Sequence, residues 1–191
     1  MSDYADINRK LEASGVVLLP TETVYGLACR AEDARAVQKI YAIKGRIFQK
    51  PLAVCVRDLE TAQRFGEFSA SATRLAEKYW PGSLTIITEA KPNLDIDPNC
   101  QSKSAETTTI AFRCPEADWL THLDGPLALT SANRSGEKDC VSYDAAIAKL
   151  GAEIDASLKT DMSLSGLPST IILAIGDDIN ILRQGTVKVS L

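Results

Sequence analysis

Six cations fall between Asp33 and Asp58 with no acid among them: Arg35, Lys39, Lys44, Arg46, Lys50 and Arg57. The chain as a whole holds more acid than base, 25 Asp and Glu against 21 Lys and Arg, for a net charge of −4. The run is therefore a local concentration, and any pull on a polyanion must come from a patch. Lys44, Arg46 and Lys50 flank one loop, where side chains can converge on a single ligand. A guanidinium offers phosphate oxygens a planar fork, and an ammonium offers a mobile point charge. Charge alone favours the plainer reading, a solvated basic face. A second pattern is small and polar: PTETVYG (20–26), TSANRSG (130–136) and PST (168–170) lie at strand ends. Their hydroxyls and amides can donate to phosphate or carboxylate oxygens there, and can equally build turns. Arg113 and Arg183 each finish an apolar strand, which calls for an acidic partner or an anionic ligand.

Other chemistries lack their parts. There is no GxxxxGK[ST] and no GxGxxG, so neither a Walker loop nor a dinucleotide fingerprint is present. His122 is the one histidine and reads as a surface residue. Ser131 has no histidine partner for a hydrolytic triad. The five cysteines are odd in number and form no CxxC, which with a single histidine argues against structural zinc and for free thiols in a reducing cytosol. Cys55, inside an apolar strand, reads as a packed small side chain, and Trp80 and Trp119 read as packing residues. No apolar run reaches a membrane span and the N-terminus has no apolar h-region, so a cytoplasmic protein without a membrane partner is expected.

The elements that must position these residues follow from periodicity and punctuation. Ser2 or Asp3 caps a helix with Tyr4, Ile7 and Leu11 on its apolar face, closed by Gly15. Residues 16–19 form a buried strand, and PTETVYGLACR follows as a loop. Asp33 caps a second helix that runs out at Lys44-Gly45. Strands are expected over 52–56, 84–88, 107–112 and 127–130, and helices over 58–65, 71–80, 117–123 and 143–150. Residues 90–106 read as a mobile surface loop. Residues 170–175 and 179–182 form a hairpin across Gly176-Asp177-Asp178. The alternation of strands and helices predicts one α/β domain over 1–191 with a twisted mixed parallel and antiparallel sheet flanked by helices.

Taken in series, PTETVYGLA (20–28), KGR (44–46) with KPL (50–52), WPG (80–82), IAFRCP (110–115), TSANRSG (130–136), PSTI (168–171) and ILRQG (181–185) resemble the YrdC family of threonylcarbamoyl-AMP synthases. The motifs keep the family's order and cover about residues 15–185. The resemblance implies a YrdC-like fold with an open basic cleft. It implies a nucleotidyl transfer in which L-threonine, bicarbonate or CO2, and ATP give threonylcarbamoyl-AMP and pyrophosphate, with Mg2+ accompanying the nucleotide and no protein-bound metal. The product would pass to downstream tRNA-modification proteins. By the same resemblance Lys44, Arg46 and Lys50 are the catalytic cations. Arg46, Lys50, Thr109, Ser131, Asn133 and Arg183 hold ATP. Thr23, Arg113 and Ser169 hold threonine together with Cys55, which stands where many members place a histidine. Glu22 is the nearest acid in a motif and could orient a neighbouring cation. The chain departs from the family at Ile47, where a proline is common after KGR, in GLACR, which lacks a second glycine, and at Asp139, which would repel phosphate. Two other readings share the fold: a non-enzymatic module binding duplex RNA or tRNA, and a carbamoyl-transfer domain like that within larger hydrogenase-maturation proteins. Retention of both KGR and SAN favours the enzyme.

Overall fold

The computed structural model describes residues 3–45 and 50–190. Helix α1 (Tyr4–Glu12) is capped by Asp3, whose carboxylate accepts from the Asp6 N–H, and buries Ile7 and Leu11. Strand β1 (Val17–Pro20) is wholly buried and turns directly into β2 (Tyr25–Arg30), its antiparallel neighbour. The expected loop over 20–30 is thus only four residues long. Tyr25, Leu27, Ala28 and Cys29 lie in the core, and tertiary burial overrides the turn character of PTETVYG. Helix α2 (Ala34–Lys44) starts at the Asp33 cap and stops at Gly45, whose left-handed φ of 57° is a conformation glycine adopts without strain.

Beyond α2 come β3 (Ala53–Cys55), α3 (Leu59–Phe65), β4 (Gly66–Glu67), α4 (Ala70–Tyr79) and β5 (Leu84–Ala90). Residues 90–106 are not the mobile surface loop expected of their composition. Ile96, Asp97 and Cys100 are buried, a 3-10 turn spans Pro98–Cys100, and β6 (Gln101–Lys103) pairs with β7 (Thr108–Arg113). The expected helix over 117–123 is a shorter 3-10 turn, Asp118–Thr121. Strand β8 (Leu127–Ser131), α5 (Tyr143–Leu150), β9 (Ala156–Ser157) and the hairpin of β10 (Thr170–Ile175) and β11 (Asp178–Arg183) complete the chain. Both tryptophans pack as expected, and each indole N–H finds a carbonyl: Trp119 donates to Pro20 O and Trp80 to Leu84 O.

Among the described residues all strands join one mixed sheet in the order β11-β10-β5-β7-β3-β8-β2-β1-β9, with β4 and β6 at its margins. The period of two along a strand divides its faces. On β7, Ile110 and Phe112 are buried, while Thr109, Ala111 and Arg113 line a cavity. On β5, Leu84 and Ile86 pack with Ala72, Leu75 and Ala76 of α4, while Thr85 and Ile87 line the same cavity. Strand β10 repeats the pattern with Ile172 and Ala174 inward and Ile171 and Leu173 on the open face. The helices therefore seal one side of this part of the sheet and leave the other as a floor.

Candidate active site

The floor forms a cavity of about 640 Å³, within the range of small-molecule sites. Its described lining includes four cations, Lys44, Lys50, Arg113 and Arg183, and one acid, Asp139. Register sorts the lining along the strands. Arg113 pairs with Thr85 on β5, and Thr85 in turn pairs with Ile171 on β10, next but one to Ser169. Thr109 lies four residues back along β7, about 13 Å away at strand rise.

At the first level, Arg113 is buried. Its Nη2 donates to Thr23 Oγ1 and to Glu22 Oε1, each at 2.8 Å. Thr23 is placed by Thr21, whose hydroxyl lies 2.8 Å from that of Thr23 and donates to Val24 O at 2.7 Å. Thr21 thus folds the PTET segment into a hydroxyl-stabilised turn. Ser169 Oγ is 2.8 Å from Thr85 Oγ1. Arg183 reaches back along the hairpin and donates to Ser169 O from Nε and Nη2 at 3.1 and 2.9 Å. Gly185 makes that approach possible: a Cβ there would collide with the backbone of Pro168 and Ser169, while its N–H donates to Thr170 Oγ1 at 2.9 Å. The pKa of Arg183 is lowered first by loss of solvent around the guanidinium and next by Arg113, with Asp139 opposing. Two guanidiniums that repel each other across a hydroxyl-lined cavity are relieved by an anion between them.

At the other level the SAN segment is held from beneath. Lys44, buried at the end of α2, donates to Ser131 O at 2.6 Å, Asn133 O at 2.8 Å and Asn133 Oδ1 at 2.9 Å. The Ser131 hydroxyl donates to Asn133 Oδ1 at 2.7 Å, and Ser135 N–H returns a bond to Lys44 O at 2.9 Å. Lys44 therefore orients Ser131 and Asn133 and does not project into the cavity as a loose charge. Lys50 sits exposed at the rim, and Arg46 lies outside the described residues.

Of the residues picked out by sequence, Thr23, Lys44, Lys50, Thr109, Arg113, Ser131, Asn133, Ser169 and Arg183 line this one cavity. Cys55 does not. It pairs in register with Arg113 but is fully buried and backs a second, smaller hollow beside Trp119. Burial pushes its thiol pKa up strongly, against the pull of Arg113. The threonine-pocket role expected of Cys55 is not matched by a place in the lining of this cavity. Arg113 satisfies both readings of a strand-end arginine, since it has an acidic partner and also lines the cavity. Sequence reasoning passed over Thr21, Ser83 and Thr85. The alternation of Leu84-Thr85-Ile86 was the available signal for Thr85, because it sets the hydroxyl on the face opposite two core residues. No cluster of three or more His, Cys, Asp or Glu able to hold a metal exists among the described residues, and none of their helices is long and apolar enough to cross a membrane.

Comparison with known proteins gives a consistent result. Residues 9–185 match the family model Sua5_yciO_yrdC, described as telomere recombination. A Bacillus subtilis threonylcarbamoyl-AMP synthase is 34% identical over 179 residues, covering 91% of this chain and 50% of the relative. A Methanocaldococcus jannaschii protein, named provisionally as a threonylcarbamoyl-AMP synthase, is 32% identical over 175 residues, covering 91% of this chain and 81% of the relative. The crystal structure of Pyrococcus abyssi Sua5 complexed with L-threonine superposes with a TM-score of 0.81 at 27% identity, over 89% of this chain and 50% of that one. The chain thus spans about half the length of the Bacillus and Pyrococcus proteins.

Proposed function

Since the chain belongs to the Sua5/YciO/YrdC family, we propose that it is an L-threonylcarbamoyladenylate synthase. The threonine amine adds to CO2 with loss of a proton, or to bicarbonate with loss of water, and becomes a carbamate. A carbamate oxygen then attacks the α-phosphorus of ATP, and pyrophosphate leaves with the broken phosphoanhydride bond. The observation that carries this reading is one cavity lined by Arg113 bonded to Thr23, Arg183 bonded to Ser169, and the Lys44-held Ser131 and Asn133.

The reaction brings an anionic carbamate onto an anionic phosphate, so its main demand on the protein is fixed positive charge and donors. Arg113, Thr23 and Ser169 take the threonine end. Ser131, Asn133, Thr109 and Lys50 take the nucleotide end, and Arg183 lies where the two substrates meet. Arg46 belongs to the nucleotide set by its motif. Asp139 is the one carboxylate among the described lining residues, and Mg2+ would arrive held by the nucleotide phosphates. The product is a reactive mixed anhydride that downstream tRNA-modification proteins consume.

The test is direct. The protein is mixed with ATP, Mg2+, bicarbonate and L-threonine, pyrophosphate is followed, and the adenylate is sought by mass spectrometry. Threonine-dependent pyrophosphate and the adenylate mass are expected. Pyrophosphate that never appears, or appears equally without amino acid, rejects the reading.

A further inference from the structure

Arg113 is gripped from behind by a carboxylate that lies outside the cavity wall. Its Nη2 donates at 2.8 Å to Glu22 Oε1, and Ser83 Oγ donates to that same oxygen at 2.8 Å. Glu22 Oε2 and Arg113 Nε are both sealed from solvent and have no hydrogen-bond partner. The ion pair is therefore held through one carboxylate oxygen, although the atoms for a two-point pair are present. Ser83 gives a reason. It occupies the second lone pair of Oε1 and ties the carboxylate to the turn before β5. Arg113 Nη1 donates to no described residue, and unlike Nε it is not sealed. It is the part of the guanidinium left to meet a ligand.

We infer that Glu22 is a positioning residue: it aims the Nη1 edge of Arg113 at the amino-acid carboxylate, and its charge favours a zwitterionic amino acid over an anion without the amino group. The inference rests on the synthase reading. Arg113 and Arg183 alone would present two positive charges at this end of the cavity, and Glu22 leaves one. An amino acid brings a carboxylate and an ammonium, so surplus positive charge helps one group and opposes the other. An analogue with hydroxyl in place of the amine gains from every added positive charge. Glu22 therefore lowers the standing of the anion without touching either ligand.

Two variants of the full chain separate geometry from charge. Glu22→Gln keeps an oxygen for Arg113 and Ser83 but carries no charge. Glu22→Ala removes both. The threonine KM, the ATP KM and the inhibition constant of the hydroxyl-for-amine threonine analogue are measured by pyrophosphate release, with thermal melting as a fold control. In Glu22→Gln the analogue is expected to gain about tenfold on threonine. In Glu22→Ala the threonine KM is expected to rise about 10- to 100-fold, with the ATP KM held within about threefold. An unchanged analogue-to-threonine ratio in Glu22→Gln overturns the inference, and this variant decides the matter if Glu22→Ala does not fold. A wild-type protein with no threonine-dependent pyrophosphate release rejects the synthase reading instead. Calorimetric binding of threonine and of the analogue to wild type and Glu22→Gln then reads the same ratio without turnover.

Discussion

Replacing Lys44 by Met should damage the protein in a way that replacing Lys50 does not, although both cations belong to the same basic run. Lys44→Met keeps an apolar stem and removes the ammonium that Ser131 O, Asn133 O and Asn133 Oδ1 share at 2.6 to 2.9 Å. Asn133 is only 7% exposed, so water cannot fully replace the lost donors. A hydrogen bond to a charged group contributes about 1.5–3 kcal/mol, and bonds sharing one donor atom are not additive. A loss of roughly 3–4 kcal/mol is therefore expected, a large share of a total stability of about 5–15 kcal/mol. For a chain of this size each kcal/mol shifts Tm by about 2–4 °C, so Lys44→Met should melt about 6–16 °C below wild type. Its ATP KM should rise as the SAN segment loses its anchor. Lys50 is exposed, and Lys50→Met should change stability by no more than about 0.5 kcal/mol while losing turnover. Scanning calorimetry with ATP-dependent pyrophosphate release reads both effects. A Lys44→Met protein that melts within about 2 °C of wild type would refute the anchoring role.

Three further outcomes are expected. Asp58→Ala removes the α3 cap made by its carboxylate to the Thr61 N–H at 2.7 Å and should cost about 0.5–2 kcal/mol. The Asp58 carboxyl is held below its usual pKa first by its hydrogen bonds with Thr61. Its contribution is therefore fully present above the unfolded carboxylate value and lost as pH falls through the lower folded one, so the Tm gap to wild type should close in strong acid. All five cysteines are buried free thiols, and burial pushes Cys100 and Cys114 up to about 12. A thiol reagent at neutral pH should label almost none of them in the native protein and all of them after unfolding. Cys55→Ala should leave the threonine KM within about twofold and cost on the order of 1 kcal/mol of stability through a small packing defect. A large rise in that KM would return Cys55 to the threonine pocket.

Strand β7 was legible in sequence as a β-branched run leading to Arg113. Thr-Thr-Ile-Ala-Phe-Arg states its own alternation, so Ile110 and Phe112 had to share one face and Thr109 and Arg113 the other. Residues 90–106 show where that legibility stops. Their polar composition described a loop, and only closure of the fold revealed that Ile96 and Cys100 pack into the core and that Gln101–Lys103 adds to the sheet edge. Strand β2 was hidden for a related reason: Tyr25–Arg30 is buried on arrival between β1 and β8, and that pairing outweighs local turn preference.

By itself the sequence determined which residue types are available for the chemistry, their order, the cap at Asp33 and the run of the main strands and helices, because these follow from local hydrogen bonding and from periodicity. The tertiary structure decided what each charge does. Lys44 turned inward to hold Asn133, 89 residues away, and Glu22 found Arg113, 91 residues away, while Cys55 was buried against a second hollow and is absent from the cavity lining. Such assignments depend on which distant segments the closed sheet brings within about 3 Å, a distance at which a buried charge must find a partner.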